Sequence, residues 1–305
     1  MRKPYRDYSS YLRSLFGCRV HKITIDAGLT CPNRDGTVGT RGCAYCNARG
    51  SGTGAAARGI PIADQIQSAK SYLARRYKAK KFLAYFQSFS NTYAPLPKLR
   101  DLYGQALSDP DVVGLTIGTR PDCVPDPVLD HLQELSRDHL VWLEYGLQSA
   151  HDRTLERIGR GHNVARFCDA VERTRKRGLP ICVHIILGLP GETLGDMLET
   201  ARFLARQDIQ GVKIHLLYVV RGTLLHEWYS QGKYRCLERE EYVEACAAFL
   251  SRLPPQVIVQ RVTGDPHRQE LVAPAWALEK QRNLEALHRY MDEKGLYQGK
   301  CWKPS

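Results

Sequence analysis

Lys22-Ile-Thr-Ile-Asp-Ala-Gly-Leu-Thr-Cys31-Pro-Asn-Arg-Asp-Gly-Thr-Val-Gly-Thr-Arg-Gly-Cys43-Ala-Tyr-Cys46 runs from a strand-like pattern into a glycine-rich loop that carries three cysteines. Lys22–Asp26 reads as a strand. In a parallel α/β fold, the loop leaving the C-terminal end of a strand lies on the face where active sites assemble. Eleven residues separate Cys31 from Cys43, and two separate Cys43 from Cys46. A closed zinc site takes four ligands, so Cys18 or a histidine such as His21 would have to complete it. An iron–sulfur cluster on three cysteines would leave one iron open to a substrate or cofactor. Buried thiols unrelated to any metal are the third reading, and spacing alone leaves all three open.

Outward from this loop, short apolar runs alternate with amphipathic stretches. Candidate strands are Lys22–Asp26, Phe82–Gln87, Val112–Gly118, Leu140–Leu147, Ile181–Leu187 and Val212–Val219. Helical patterns cover Ile62–Tyr77, Leu96–Leu107, Pro127–Ser136, Asn163–Arg177 and Thr193–Arg206. Gly178-Leu-Pro180 punctuates one helix before its strand. This βα rhythm predicts a parallel sheet with crossover helices, and six units in sequence fit a partial (β/α)6 barrel. Beyond Val219 come two helical patterns, Glu238–Leu253 and Trp276–Lys294, separated by Pro254-Pro255 and the strand-like Val257–Val262. The expected division is a basic segment 1–14, a core 15–253 and a short α/β extension 254–305 packed on the core.

Composition removes other classes. The 305 residues are 43% apolar and 25% charged, which excludes disorder, collagen and coiled coil. No apolar run approaches the roughly 18 residues of a membrane helix. Asp7 and Arg13 interrupt the start of the chain, which argues against a signal peptide. Ten cysteines without such a signal point to reduced thiols, a metal or catalysis, and to a cytoplasmic compartment. The net charge of +12 is uneven: residues 1–81 carry 16 Lys/Arg against four acids, and the remainder is neutral. A basic part interleaved with Tyr5, Tyr8, Tyr11, Tyr72 and Tyr77 suits a polyanion such as nucleic acid, or a solvated basic face. Candidate phosphate contacts are Arg2, Lys3, Arg6, Arg13, Arg75, Arg76, Lys78, Lys80 and Lys81. The same segment delivers the cysteine loop, so a bound polyanion is expected beside it.

The loop Asp26-Ala-Gly-Leu-Thr-Cys-Pro-Asn-Arg-Asp-Gly36 with Gly42-Cys-Ala-Tyr-Cys-Asn47 resembles the radical S-adenosylmethionine (SAM) superfamily. Within it, the resemblance is to the Elongator-catalytic-subunit-like branch and its YhcC/YtqA group of bacterial proteins. Further matches are Phe86-Gln-Ser-Phe-Ser-Asn-Thr-Tyr93, Gly118-Thr-Arg-Pro-Asp122, Glu144-Tyr-Gly-Leu-Gln-Ser149 and Arg160-Gly-His162. They continue in His184-Ile-Ile-Leu-Gly-Leu-Pro-Gly-Glu192, Lys213-Ile-His-Leu-Leu217 and Arg261-Val-Thr-Gly-Asp265. The resemblance covers nearly the whole chain in order. The first cysteine interval is longer than the superfamily's commonest pattern, as this branch shows.

The resemblance implies a radical SAM partial barrel and a 4Fe-4S cluster on Cys31, Cys43 and Cys46, with SAM on its open iron. It implies reductive cleavage of SAM to methionine and a 5′-deoxyadenosyl radical, fed by a low-potential electron donor such as flavodoxin or ferredoxin. Tyr45 matches the aromatic beside adenine, or is simple loop packing. Ser90, Asn91 and Thr92 match contacts to the methionyl end of SAM, or form an ordinary turn. Glu144, Gln148 and Ser149 match ribose and carboxylate contacts. A buried Glu144 needs a partner in any case. Gly188, Gly191 and Glu192 match the segment that approaches adenine. His162, His184 and His215 are candidate acid, base or substrate groups, or satisfied core histidines. The other cysteines read as small buried hydrophobes, with Cys18 and Cys123 reserved for their nearness to strand ends.

Relatives in this branch include tRNA-modifying enzymes, so the expected substrate is tRNA at a wobble uridine side chain, with no membrane partner. A radical SAM enzyme on a small molecule or protein is the alternative, and a zinc-stabilised RNA-binding module is the alternative of another class. The chain ends soon after the barrel, so no Elongator-type acetyltransferase domain is expected and acetyl-coenzyme A chemistry is not carried over.

Overall fold

The computed structural model describes residues 3–50 and 52–304. Arg2, named above as a phosphate contact, lies outside the described residues. Seven parallel strands form one sheet: β1 (Val20–Ile25), β2 (Lys81–Phe86), β3 (Val112–Thr119), β4 (Leu140–Gln148), β5 (Ile181–Leu187), β6 (Gly211–Leu216) and β8 (Ile258–Arg261). Helices α2 (Ile62–Tyr77), α3 (Leu96–Leu107), α4 (Asp126–Leu135), α6 (Val164–Arg175) and α7 (Leu194–Ala205) are the crossovers, within two residues of their expected bounds.

The six-strand expectation is extended by one. The strand-like segment near residue 258 pairs in parallel with β6 through Gly211↔Ile258 and Val212↔Val259. The segment 254–305 thus contributes a strand to the sheet, and its helix α10 (Lys280–Glu293) packs on α9 (Arg239–Leu250) of the expected core. The expected strand Val212–Val219 breaks at Leu216. Val219–Val220 (β7) leaves the sheet to pair antiparallel with Leu271–Ala273 (β9).

Alternation along the strands divides the residues between two cores. Phe82, Ala84 and Phe86 of β2 face outward into the large core against the helices, as do Leu115, Ile117, Leu143, Val183 and Ile214. Leu83 and Tyr85 face inward. At the bottom, Val20, Leu83, Trp142, Cys182 and Ile258 form an apolar floor with Tyr8 and Leu12 of helix α1 (Tyr8–Phe16). Helix α1 is capped by Asp7, whose carboxylate accepts from Ser10 N, and it ends at Gly17 with φ 67°. Tyr8 meets Trp142 edge-on at 5.9 Å between centroids. The tyrosines at 5, 8 and 11 therefore do not form an RNA-facing surface: Tyr8 is buried, Tyr11 packs against Trp142, and Tyr5 bonds His288.

Above the floor lies a charged layer. Glu144 is fully buried. Lys22 reaches its Oε1 at 2.6 Å, His184 Nε2 lies 2.7 Å from its Oε2, and Lys213 also donates to Oε2. Lys22 also donates to Gln260 Oε1 at 2.7 Å. Strands β1 and β8 are first and last in the sheet, and flat they would stand six steps of about 4.8 Å, roughly 29 Å, apart. A lysine linking them directly means that the sheet has curled into a half-barrel. Both ammonium groups also lie over the Tyr85 ring, Lys213 at 4.1 Å and Lys22 at 4.9 Å from its centroid.

Burial opposes ionisation of Glu144, but Lys213, Lys22 and His184 more than offset it and hold the carboxyl well below its usual range. Replacing Glu144 with Ala would leave two ammonium groups facing each other in the interior. The unfolding free energy from urea titration at neutral pH is expected to fall by about 3–5 kcal/mol. Lys213→Met, which keeps the Lys22–Glu144 pair and removes one cation, is expected to cost less.

Candidate functional site

The cysteine loop is built by its own backbone and then fastened to three neighbouring segments. Arg34 N and Asp35 N both donate to Cys31 O, at 2.8 and 3.2 Å, and Cys46 N donates to Cys43 O at 2.9 Å. Ala44 N donates to Ile158 O, and Leu225 N, at the start of helix α8 (Leu224–Ser230), donates to Ala44 O, each at 2.8 Å. The Arg34 guanidinium donates to Cys46 O at 2.8 Å, and Asn47 Nδ2 donates to Glu270 at 2.9 Å. Ala44 and Tyr45 pack among Leu155, Ile158, Ile186, Leu189 and Leu225. Cys31 and Cys43 are buried and Cys46 is partly exposed.

Two arginines lie beneath the loop. Arg160, buried between α5 (Asp152–Arg157) and α6, donates to Gly146 O at 2.7 Å and to Cys43 Sγ at 3.5 Å. Asn33 Nδ2 reaches the same sulfur at 3.6 Å. Arg120 holds Asp122 with two bonds of 2.9 and 2.7 Å and donates to Arg160 O at 2.7 Å. His162 Nε2 is 3.2 Å from Gly146 O. Burial alone would push the Cys43 thiol up, but Arg160 at contact and Arg120 behind it more than offset that and hold it below its usual range. Burial, then the Cys43 charge, pushes Cys46 up. Burial and Arg160 lower His162 to about 3, so it stays neutral.

Sequence reasoning quoted Arg120, Asp122, Arg160 and His162 within motifs and gave the first three no role. The available signal was an arginine in a segment flanked by buried apolar residues, since a buried guanidinium requires acceptors. Nothing in the sequence says that one acceptor is a cysteine sulfur 117 positions away.

Of the other expected residues, Ser90, Asn91 and Thr92 lie buried just beyond β2. Asn91 Nδ2 donates to Ser88 O and Gly118 O, each at 2.8 Å, and Thr92 bonds Thr119 at 2.6 Å, so both organise the turn. Among the described residues, Asn91 Oδ1 is buried without a hydrogen-bond partner, and Ser90 Oγ lies buried against the Cys123 thiol. Gln148 ends β4 with φ 77°, a left-handed conformation unusual outside glycine. Ser149 donates to Glu192, and Thr154 supports it, while burial pushes the Glu192 carboxyl up. Gly188 and Gly191, with φ of 86° and 81°, line a cavity of about 420 Å³ with Glu192, Arg157, Trp228 and Tyr234. The φ of Gly191 is one that other residues rarely adopt, and a Cβ there would also meet the mobile tip of Arg157. Glu144 stands apart from these groups, in the charged layer below. Cys123 is buried next to Asp122, and burial with that charge raises its thiol to about 12.

Metal chemistry is constrained by the thiols themselves. Sulfurs around one tetrahedral zinc, each about 2.3 Å from the ion, lie about 3.8 Å apart. Among the described residues, Cys31, Cys43 and Cys46 do not converge within 4.8 Å. Three thiols on one loop, with Arg160 and Asn33 donating toward one of the sulfurs, fit an iron–sulfur cluster. The unpartnered Asn91 Oδ1 and the neighbouring Ser90 Oγ offer polar contacts to a second ligand on the same strand-end face. Glu144, Cys182 and His184 do converge within 4.8 Å, but two lysines already occupy that carboxylate.

The basic residues do not all accompany the loop. Arg34, Arg41, Arg49 and Arg58 follow β1 at its C-terminal end. Arg75, Arg76, Lys78, Lys80 and Lys81 lie at the end of α2 and the start of β2, where Arg19 Nη1 donates to Tyr77 O at 2.9 Å. Arg6 and Arg13 flank the bottom plug. A polyanion on the second group would lie at the opposite end of the barrel from the cysteines, which corrects the expectation of a single site. Parallel strands cause the split, because α2 must return the chain to the bottom. No described helix is long and apolar enough to cross a membrane.

Residues 35–204 match the radical SAM superfamily, and residues 209–293 match the Radical_SAM C-terminal domain. The chain is 41% identical over 301 residues to the uncharacterized protein YtqA of Bacillus subtilis (strain 168), covering 99% of this chain and 94% of that one. It is 40% identical over 293 residues to protein YhcC of Escherichia coli (strain K12), covering 95% and 94%. Elongator complex protein 3 of Schizosaccharomyces pombe is 29% identical over 161 residues, 52% of this chain and 29% of that protein. Among solved structures, Methanocaldococcus infernus Elp3 with an N-terminal deletion superposes with a TM-score of 0.70 at 18% identity. That match covers 92% of this chain and 64% of the other, and it establishes the shared fold.

Removing the Arg160 charge should leave burial to govern Cys43. In Arg160→Gln, the pH at which Cys43 in metal-free protein is half-alkylated by iodoacetamide, read by peptide mass spectrometry, is expected to move upward. Alkylation of exposed Cys301 should not move.

Proposed function

This chain belongs to the radical SAM superfamily, and on that premise we propose that it modifies tRNA at the side chain of a wobble uridine. It is a radical SAM enzyme of a family that uses a 4Fe-4S cluster and SAM. When bound, these groups supply reductive cleavage of SAM to methionine and a 5′-deoxyadenosyl radical that abstracts hydrogen from substrate.

The residues of this chain supply the setting. Cys31, Cys43 and Cys46 hold the cluster. Arg160 and Asn33 donate toward the Cys43 sulfur, stabilising its thiolate and orienting the ligand. Arg34 ties the Cys46 carbonyl to the loop. Ser90 Oγ and Asn91 Oδ1 bind the methionyl end of SAM. Gln148, Ser149 and Glu192 orient the ribose, and Tyr45, Gly188 and Gly191 border the adenine. The apolar floor and α1 close the barrel from below, so that water does not enter the interior from that end. A low-potential donor such as flavodoxin or ferredoxin delivers the electron.

The observation that carries the mechanism is the three-cysteine loop resting on Arg160. The substrate reading is supported by the similarity to Elongator complex protein 3 and by the +12 charge. The cations at the α2 end then grip RNA away from the reacting nucleotide.

Anaerobically reconstituted protein is expected to bind about four irons per chain and, when reduced, to convert SAM to 5′-deoxyadenosine and methionine. Cys31→Ala, Cys43→Ala and Cys46→Ala should each lose the iron, whereas Cys168→Ala and Cys246→Ala should keep it. Full zinc with no iron absorbance, or S-adenosylhomocysteine as the sole product, sinks the mechanism. tRNA should bind at low salt and weaken steeply as salt rises. Replacing Arg75, Arg76, Lys78 and Lys80 with Ala should flatten that dependence. Mass spectrometry of tRNA nucleosides from a deletion strain should show an altered wobble uridine, and an unchanged nucleoside profile removes the tRNA reading.

A further inference from the structure

We propose that the barrel interior holds a subsite for a compact oxyanion, a carboxylate or phosphate group of the substrate, seated on Arg261 and flanked by Lys213 and His215. In naming the substrate as the source of the anion, this rests on the radical SAM reading above.

The charges of the interior do not balance. Lys22, Lys213 and the half-buried Arg261 stand against Glu144, and both Glu144 oxygens are already engaged, Oε1 by Lys22 and Oε2 by His184 and Lys213. Arg261 is the register partner of Lys213 across β6 and β8. Among the described residues its guanidinium makes no hydrogen bond, ion pair or ring contact. It nonetheless lies close enough to disfavour protonation of Lys213, His184 and His215, in each case adding to burial. Asp265 and Glu270 are the next acids near Tyr218. Asp265 pairs with Lys280 at 3.0 Å, and Glu270 with Arg49 at 3.2 Å.

One more group near Arg261 lacks a partner. Among the described residues, His215 Nε2 is buried without a hydrogen bond, and Arg261 is among the charges that act on it. The His215 ring lies 5.2 Å from that of His184, one layer above the Glu144 cluster. A buried donor left unmade costs about 1–3 kcal/mol, and an unpaired guanidinium next to a second cation adds to that. One ligand answers both: an oxyanion takes the guanidinium fork with two oxygens and accepts from the Nε2–H tautomer of His215. These strands deliver the group to the strand-end side of the charged layer, the side that carries the cysteine loop.

The test uses the full-length protein with sodium acetate and inorganic phosphate, each compared with chloride at constant ionic strength. Saturating acetate or phosphate should raise the parent's melting temperature by about 2–4 °C beyond chloride. Arg261→Gln should abolish that difference, and Arg261→Lys should retain part of it. An equal anion-specific rise in Arg261→Gln, or no rise in the parent, overturns the subsite. Equilibrium dialysis of reconstituted protein with SAM separates the two carboxylate sources. Less than a twofold change in SAM affinity in Arg261→Gln supports a substrate anion, whereas a tenfold loss assigns Arg261 to the SAM carboxylate and overturns the proposal. The melting measurement involves neither cluster nor SAM, so failure of the radical SAM reading would show separately, as a parent protein that binds no SAM.

Discussion

A carboxylate buried inside a parallel sheet is sustainable only if cations reach it, and here they come from strands near opposite edges. Lys22 enters from β1 and Lys213 from β6, and both meet Glu144 on β4, while Gln260 on β8 takes the other face of Lys22. Desolvating each ion costs several kcal/mol, which only close contact and full hydrogen bonding offset. The arrangement therefore specifies the curl of the sheet. An open sheet would strand Glu144 without its partners, and a closed one would exclude the α1 plug that spans from β1 to β8. Beneath this layer the interior is apolar and sealed, and above it the interior is polar and reachable. The vertical order of the barrel follows from one ion cluster.

The same electrostatic logic recurs at the strand ends. Cys43 is as buried as a core residue, yet Arg160 and Arg120 hold its thiol below the usual range. Neither arginine is free to turn toward solvent, because Gly146 O, Arg160 O and Asp122 hold them. One ligand of the loop, Cys43, is thus biased toward its anionic form by residues that are not ligands. Gly146 stands directly above Glu144 on the inward face of β4, so the cation layer supporting the cysteines and the one supporting the barrel share a strand. A thiol-rich loop on cationic supports, over an interior with excess positive charge, suits chemistry that brings in electrons and anionic groups together.

Charge along the chain and charge in space are different quantities here. The basic first 81 residues look like one surface in sequence, but β1 passes through the barrel between them. Part of the charge emerges with the cysteine loop, and the rest returns to the bottom with α2. An RNA that used both would have to extend along the outside of the barrel, as an elongated folded RNA can and a single nucleotide cannot.

Residue pattern alone determined much of this protein. Periods of two and 3.6 marked six strands and the main helices nearly to the residue, because each element buries one continuous face. The cysteine spacing alone left zinc, an iron–sulfur cluster and plain thiols open, and the family resemblance identified the superfamily, because its motifs are local arrangements of residue types. Short elements escaped: α1 and α8 lack the length that makes a helical period legible, and β8 was visible as a strand but not as a member of the main sheet. Tertiary structure alone decided that Glu144 serves the barrel layer rather than the strand ends, that Arg160 supports Cys43, and that the basic segment divides between two ends. Those outcomes depend on which side chains meet across 40, 69, 117 and 238 positions of sequence. Local periodicity has no term for such encounters, since curling of the sheet, and not the spacing of residues along it, brings the partners within reach.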